Sequence, residues 1–190
     1  MVYIDDNPQE IDVAEALSVV SQQRRDHSLR YLREHDRRLS LSAYLLLQKA
    51  LRQEYGIFEP PLFSFTPQGK PLLRDHPDIH FSLSHCCQAA VCAVDSRPVG
   101  IDIESVDAYD PALVAVTMSG KEQETIAQAP FPAVAFIRFW TMKESLLKFL
   151  GEGLVAGRLP SILDTSIPHH FITHENMASG YVYTVCESGI

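Results

Sequence analysis

Apolar residues recur every three or four positions in several segments of the chain, and this period predicts amphipathic helices. The pattern is strongest over residues 39–55 and over residues 132–150, and Gly56 and Gly151 supply the stop signals. Shorter helices are predicted where capping residues begin a polar–apolar pattern. They begin at Asn7, Ser21, Asp110-Pro111 and Ser119. The first of them is expected to run through Ile11, Ala14, Leu17 and Val20.

Short apolar runs bounded by turn residues predict strands. They cover residues 62–65, 79–84, 89–94, 99–104, 170–174 and 181–186. Helices and strands do not alternate strictly, which favours an α+β fold over a doubly wound sheet. A division near Ser96-Arg97-Pro98 gives two halves of similar length, residues 1–97 and 98–190. We expect one compact unit in which the two similar halves pack as a pseudo-dimer, each with a small antiparallel sheet and helices.

The composition is that of a soluble globular protein, because 46% of the 190 residues are hydrophobic and 21% are charged. No apolar run is long enough to cross a bilayer, and the N-terminus lacks the pattern of a secretory signal, so a cytoplasmic location is expected. The formal net charge of −8 argues against nucleic acid or anionic membranes as partners. The four cysteines lack metal-binding spacing and are expected to be free thiols.

One segment runs against the acidic balance of the chain. Between Arg24 and Arg38 lie six arginines and three acids. A local basic cluster in an acidic chain favours a small anionic ligand over a charged polymer. The alternative is a solvated helix face with ion pairs between residues four apart.

Two acids alternate with isoleucines in the predicted strand over residues 99–104. Since alternate side chains of a strand point to opposite faces, Ile101 and Ile103 are expected in the core, with Asp102 and Glu104 together on the other face. Two carboxylates that close together repel each other unless a cation lies between them, and both are good ligands for Mg²⁺. The alternative is a strand with a polar outer face.

The predicted helix over residues 132–150 carries a stripe of chemically active side chains. Trp140, Glu144 and Lys148 stand one turn apart on one face. The acid and the base could form an ordinary helix ion pair, or they could hold a metal and a phosphate.

Ser84 and His85 fall at the end of a predicted strand. A serine nucleophile would need an acidic partner and a Gly-x-Ser-x-Gly turn, which the sequence lacks here. A hydrogen bond from His85 to a phosphate requires fewer assumptions.

The combination of these features resembles the 4′-phosphopantetheinyl transferases, specifically the two-halved type that activates peptide synthetases and fatty-acid carriers. The family signature is Gly-hydrophobe-Asp-hydrophobe-Glu, a spacer, and then Trp-Ser/Thr/Ala-x-Lys-Glu-Ser/Ala-x-x-Lys. Here it reads Gly100-Ile101-Asp102-Ile103-Glu104 and Trp140-Thr141-Met142-Lys143-Glu144-Ser145-Leu146-Leu147-Lys148. The resemblance implies transfer of 4′-phosphopantetheine from coenzyme A to a serine hydroxyl of an apo acyl or peptidyl carrier protein, with release of adenosine 3′,5′-bisphosphate.

The resemblance also implies a magnesium site and a catalytic set. Asp102, Glu104 and Glu144 would hold Mg²⁺ on the coenzyme A pyrophosphate, and Lys148 would contact that pyrophosphate. Asp102, Glu144 and Lys148 would be the catalytic residues. The base that takes the serine proton would be Glu144 or a metal-bound water that Glu144 orients.

The same resemblance implies a nucleotide site in the first half. Ser84 and His85 would contact the nucleotide, with His85 on the 3′-phosphate, and Lys70 of Gly69-Lys70-Pro71 would lie by the adenine and the phosphates. Arg38 is the best match for the basic residue on the 3′-phosphate, and Arg37 is a near rival. The weaker candidates are Arg24 and Arg25.

Some features depart from the family or leave other functions open. Cys86 and Cys87 stand where the family usually has Ser or Thr and Gly. A non-catalytic module that binds coenzyme A or a carrier protein is therefore one alternative, and a metal-dependent phosphohydrolase is another. Carrier docking is expected near Arg138 and Met142, and a monomer is expected because two halves can complete the site within one chain.

Overall fold

The computed structural model describes residues 1–107, 109–153, 156–164 and 166–189, and eight strands lie within them. They are β1 (Val2–Asp5), β2 (Phe63–Phe65), β3 (Pro71–Leu73), β4 (His80–His85), β5 (Ala90–Asp95), β6 (Val99–Ser105), β7 (His169–Asn176) and β8 (Tyr181–Ser188). The α-helices of the same residues are α1 (Val13–Val19), α2 (Gln22–Ser28), α3 (Glu34–Tyr55), α4 (Pro111–Thr117), α5 (Gly120–Gln128) and α6 (Pro132–Leu150). Short 3₁₀ helices span Pro8–Glu10 and Ala156–Asp164.

The strands form two three-stranded antiparallel sheets, in the orders β1-β5-β4 and β6-β8-β7, and a separate β2-β3 hairpin. Helix α3 packs on the first sheet, where Leu47 and Leu51 meet Phe81. Helix α6 packs on the second, where Leu146 meets Cys186. The predicted α+β fold with two similar halves is confirmed, and the exact boundary at residue 97 stays a prediction.

A third buried cluster joins the two sheets to each other. Val91 and Ala93 of β5 pack against Ile101 and Ile103 of β6. At the neighbouring edges, the backbone N–H of Ile101 donates to the hydroxyl of Ser82 on β4 at 3.0 Å. The strand that carries Asp102 is therefore held beside the strand that carries Ser84 and His85.

The two long helices agree well with the sequence patterns. Helix α6 spans the predicted residues 132–150 and ends at Gly151, whose φ of 73° lies in the left-handed region that glycine adopts without strain. Helix α3 ends as predicted but begins at Glu34 instead of residue 39. Its first turn is polar and acidic, which suits a helix N-terminus but gives no apolar period to detect.

The prediction for the N-terminus was wrong. Asn7 makes no side-chain cap, and only a 3₁₀ turn follows it. The α-helix begins later, at Val13, because Asp12 accepts a hydrogen bond from the backbone N–H of Glu15. Strand β1 was not predicted, since it is four residues long and forms through pairing with β5. No helix in the described part of the chain is long and apolar enough to cross a membrane.

Candidate active site

Asp102 lies at the centre of β6, on the face that α6 covers, and only 4% of it is exposed. Its Oδ1 accepts hydrogen bonds from the hydroxyl of Ser84 at 2.8 Å and from the ammonium of Lys148 at 2.7 Å. Lys148 also donates to the hydroxyl oxygen of Ser84 at 2.9 Å. The fold thus brings together three of the predicted site residues from β4, β6 and α6.

The other carboxylate oxygen of Asp102, Oδ2, is buried and has no hydrogen-bond partner among the described residues. A buried polar atom without a partner costs free energy unless a ligand or an ion supplies one. A hard divalent cation suits this oxygen, because Mg²⁺ prefers carboxylate and phosphate oxygens.

Glu104 and Glu144 lie close enough to Asp102 to respond to its charge. Burial, with a further contribution from Asp102, raises the pKa of Glu104 to about 7, and the same two causes raise the pKa of Glu144. Such mutual repulsion is what a bound cation would relieve. Within the residues described, however, no three His, Cys, Asp or Glu side chains already stand as a metal-binding group.

The stripe on α6 faces the alternating acids of β6. The indole N–H of Trp140 donates to Oε1 of Glu104 at 3.3 Å, and two turns along the helix Lys148 pairs with Asp102. No ion pair joins Glu144 to Lys148 in the described part of the chain. The helix-pair interpretation of this stripe is therefore not what the structure shows.

A cavity of about 540 Å³ opens beside this cluster, between α2, the β2-β3 hairpin and the end of β4. Ser84, His85 and Lys148 lie at one side of it. The remaining lining residues include basic and aromatic groups; among them are Arg24, His27, Arg30, Tyr31, Phe63 and Phe65. This mixture of cations and flat apolar surfaces suits an anion attached to an aromatic ring system.

Arg24 is the arginine most enclosed by this cavity. Burial lowers the pKa of Arg24, and its guanidinium lies over the ring of Tyr44, 5.3 Å from the centroid. One terminal nitrogen, Nη2, donates to the carbonyl and, at 2.7 Å, to the hydroxyl of Ser40. Its Nε is buried without a partner among the described residues, as are those of Arg37 and Arg38. What distinguishes Arg24 is that its enclosed guanidinium lines the cavity, where it is placed to meet an anionic ligand.

Arg38 and Arg37 do not line the cavity. Arg38 donates to the carbonyl of Gln9 at 3.0 Å and pairs with Glu34 at 2.6 Å. Arg37 donates to the carbonyl of Tyr31 at 2.9 Å. Arg38, the preferred candidate for the phosphate, thus lies outside the cavity lining, whereas Arg24, a weaker candidate in the sequence, is part of it. Both preferred arginines lie near the start of α3, from which Arg38 reaches the N-terminal segment and Arg37 reaches the loop between α2 and α3.

His27 and Arg30 line the cavity, although neither was singled out in the sequence as a site residue. His27 lies one turn after Arg24 on α2, and Arg30 follows the end of that helix. The spacing of three between positions 24 and 27 was the available signal, since residues three apart share a helix face. Burial lowers the pKa of His27 and of His85, with nearby cations adding to the effect. In the free protein both imidazoles therefore favour the neutral form.

Lys70 does not line the larger cavity. It lines a smaller one of about 240 Å³, which shares Pro71, Leu83 and Lys148 with the first. Its ammonium donates to the backbone carbonyl of Phe149 at 3.1 Å. Lys70 is thus near the site, but its polar contact is with the end of α6.

Glu122 and Lys143 form a separate buried ion pair. Lys143 is fully buried, and its ammonium donates to Oε2 of Glu122 at 2.9 Å and to the carbonyl of Leu159 at 2.6 Å. Glu122 also accepts a hydrogen bond from the backbone N–H of Ser119, and the two residues form a capping box at the start of α5. The pair ties α5 to α6.

Comparison with known proteins gives matches over both halves. Residues 98–186 match a family model described as the 4′-phosphopantetheinyl transferase superfamily. Residues 6–97 match one described as the N-terminal part of 4′-phosphopantetheinyl transferases.

Several curated proteins are similar to this chain. A 4′-phosphopantetheinyl transferase of Bacillus subtilis is 35% identical over 143 residues, which are 73% of this chain and 63% of the relative. The 4′-phosphopantetheinyl transferase psf-1 of Bacillus pumilus is 31% identical over 157 residues, 81% of this chain and 67% of the relative. The transferase Sfp of Bacillus subtilis strain 168 is 28% identical over 156 residues, with coverage of 80% and 70%. The matches thus span about two thirds of the length of these relatives.

Proposed function

Since the chain belongs to the 4′-phosphopantetheinyl transferase superfamily, we propose that it transfers 4′-phosphopantetheine from coenzyme A to a serine hydroxyl of an apo acyl or peptidyl carrier protein. One observation carries the proposal. The cluster of Ser84, Asp102 and Lys148 borders a cavity lined by cations and aromatic rings. Coenzyme A offers a matching ligand, with an adenine ring, a 3′-phosphate and a diphosphate.

The larger cavity would hold the nucleotide. Arg24 and His27, joined by His85 from the opposite side, would bind the 3′-phosphate, because a guanidinium and two imidazoles donate several hydrogen bonds to a phosphate monoester. Phe63 and Phe65 would provide apolar surface for the adenine. This assignment replaces Arg38 with Arg24.

Asp102, Glu104 and Glu144 would hold Mg²⁺. The unpartnered Oδ2 of Asp102 and the raised pKa values of both glutamates fit a cation at this place. When bound, Mg²⁺ would neutralise charge on the diphosphate. Trp140 keeps the carboxylate of Glu104 directed toward α6 through its indole N–H. Lys148 would move its ammonium from Asp102 to a diphosphate oxygen.

The reaction displaces one diphosphate oxygen by the serine oxygen. A new bond forms between the carrier serine Oγ and the phosphorus that bears pantetheine. The bond from that phosphorus to the bridging oxygen breaks, and the electron pair leaves with adenosine 3′,5′-bisphosphate. Glu144, or a metal-bound water that Glu144 orients, would take the serine proton.

The partner would therefore be an apo carrier protein. The predicted docking position near Arg138 and Met142 stays a prediction, and Arg138 is paired there with Glu175. A monomeric state likewise stays a prediction.

A mass measurement tests the activity. The protein is incubated with coenzyme A, Mg²⁺ and several apo carrier proteins, and the mass of each carrier is measured by intact-protein mass spectrometry. We expect each modified carrier to gain the mass of one phosphopantetheine. The gain should be absent from a carrier whose serine is replaced by alanine, and the Asp102→Asn variant should not produce it. No gain on any carrier, with coenzyme A still bound, would instead support the non-catalytic binding module. Release of phosphopantetheine without a carrier would support the phosphohydrolase.

A further inference from the structure

Lys70 connects two parts of the molecule that lie far apart in the sequence. It precedes Pro71, the first residue of β3, in the hairpin whose Phe63 and Phe65 line the larger cavity. Its ammonium donates at 3.1 Å to the carbonyl of Phe149, 79 residues away in the last turn of α6. The residue before Phe149 is Lys148, which pairs with Asp102.

The charge of Lys70 has no carboxylate partner within ion-pairing distance in the described part of the chain. Burial lowers the pKa of Lys70, which reflects the cost of enclosing an unpaired ammonium. The C-terminal end of a helix compensates part of this cost, because its last carbonyls lack partners within the helix and carry partial negative charge. The ammonium of Lys70 therefore caps the C-terminal end of α6.

The alkyl chain of Lys70 packs against the end of the same helix. Gly151 follows α6 with a φ of 73°, and a Cβ built on it would lie 3.0 Å from Cδ of Lys70. The lysine stem thus occupies the space that a side chain at position 151 would need. Both the ammonium and the stem hold the hairpin against the last turn of α6.

We propose that Lys70 is a positioning residue, which fastens the end of α6 to the nucleotide-cavity hairpin and so places Lys148, and that it is not a ligand of the nucleotide phosphates. The inference rests on the proposed function, because it assigns a role within that site. Its physical basis is that Lys148 lies between two anchors: Asp102 holds its ammonium, and Lys70 holds the backbone immediately after it.

The competing interpretation is direct phosphate binding. Lys70 lines the smaller cavity together with Lys148, and an ammonium there could reach an anion. The two roles differ in what removal of the ammonium changes. A phosphate ligand contributes mainly to affinity, whereas a residue that positions Lys148 contributes to the order of the helix end and to turnover.

The test compares Lys70→Met with Lys70→Arg and with Lys49→Met, which removes an exposed ammonium from α3. Hydrogen exchange is followed by mass spectrometry over residues 147–153, and adenosine 3′,5′-bisphosphate binding is followed by calorimetry. For Lys70→Met we expect exchange at the end of α6 to rise about tenfold, while bisphosphate affinity changes less than about threefold. In Lys49→Met the affinity for the bisphosphate should also change less than about threefold, and hydrogen exchange at residues 147–153 should not change.

Steady-state kinetics add a second readout. In Lys70→Met, kcat for carrier modification should fall about tenfold with little change in KM for coenzyme A, and Lys70→Arg should recover most of it. A loss of bisphosphate affinity of tenfold or more, with unchanged exchange at residues 147–153, would overturn the proposal. If Lys70→Met does not fold, Lys70→Gln serves, since its shorter amide cannot span to Phe149. Exchange and bisphosphate binding need no carrier, so failure of the transferase assignment would not be mistaken for failure of this inference.

Discussion

The ammonium of Lys148 lies 2.7 Å from Oδ1 of Asp102, although 46 residues separate them in the chain. Only 5% of the Asp102 side chain is exposed, so Lys148 supplies most of the positive charge that this buried carboxylate needs. In the proposed reaction the same ammonium would bind the diphosphate, and the same carboxylate would bind Mg²⁺. The pair must therefore separate when substrate and metal arrive.

We predict that Lys148→Met binds a divalent cation more tightly than the wild-type protein when no coenzyme A is present. Removing the ammonium frees Asp102 to attract another cation, and an increase in Mn²⁺ affinity of about tenfold is expected. Electron paramagnetic resonance of Mn²⁺ measures the free and bound ion directly. Asp102→Asn should have the opposite effect, and a weaker affinity in Lys148→Met would contradict the competition between ammonium and metal.

Ligands with and without a 3′-phosphate can show whether Arg24 or Arg38 binds that phosphate. Arg24→Met should weaken binding of adenosine 3′,5′-bisphosphate by about tenfold or more, because a charge-assisted contact is lost. The affinity for adenosine 5′-phosphate, which lacks the 3′-phosphate, should change much less. Arg38→Met is the matched control and should leave both affinities within about twofold, since Arg38 is bound to Gln9 and Glu34. Equal effects of the two variants would contradict the placement of Arg24.

Binding of the bisphosphate should strengthen as pH falls from 8 to 6. The pKa values of His27 and His85 are lowered, first by burial and then by the nearby cations Arg24, Arg30 and Lys148. A dianionic phosphate offsets these causes, so binding favours protonation of the imidazoles and takes up protons. Calorimetry in two buffers of different ionisation enthalpy measures this uptake. It should shrink in His85→Gln, and uptake that is absent at every pH would argue against the histidines as phosphate ligands.

The free energy of unfolding should carry a contribution from Glu104 that falls with rising pH. Burial raises the pKa of Glu104 from 4.5 to about 7, so the folded state binds a proton that the unfolded state has already lost. This contribution is present below pH 4.5 and is lost progressively as pH rises to about 7 and beyond. Denaturant unfolding of wild type and Glu104→Gln across this range, without divalent cation, isolates it. A difference that grows in the opposite direction would contradict the assignment.

We expect the buried pair of Glu122 and Lys143 to contribute to the free energy of unfolding more than it contributes to the affinity for metal. Glu122→Gln leaves the buried ammonium of Lys143 without its anionic partner. The substitution should therefore lower the free energy of unfolding by about 3 kcal/mol. The double variant Glu122→Gln, Lys143→Met should recover part of this loss, which urea unfolding would show. Both variants should retain the Mn²⁺ affinity of the folded wild type. A stability change below about 0.5 kcal/mol in Glu122→Gln would mean that the pair is not buried in solution.

Part of the site was readable in the sequence because its signals are local. The alternation of Asp102 and Glu104 and the one-turn spacing of Trp140, Glu144 and Lys148 follow from the periods of a strand and a helix. The structure shows these two patterns facing each other, with Trp140 on Glu104 and Lys148 on Asp102. The sequence did not show that Lys148 would pair with Asp102 of β6 instead of with Glu144 on its own helix.

Which arginines line the cavity could not be read from local pattern, since six arginines lie within 15 residues of one another. Their directions depend on where α2 ends and α3 begins, and on which neighbours already occupy each guanidinium. Arg38 is engaged by Gln9, 29 residues earlier, and such a contact has no local signature.

The sequence by itself therefore determined three things: the order of the chemical groups along the chain, the long helices and the family. Each of them depends on neighbouring residues and on the periodic pattern of apolar positions. Only the tertiary structure decided which groups meet: Asp102 with Lys148, Arg24 with the cavity, and Lys70 with the end of α6. The reason is that these contacts join segments brought together by burial of the shared core between the two sheets, and their energies depend on enclosure that no single segment has by itself.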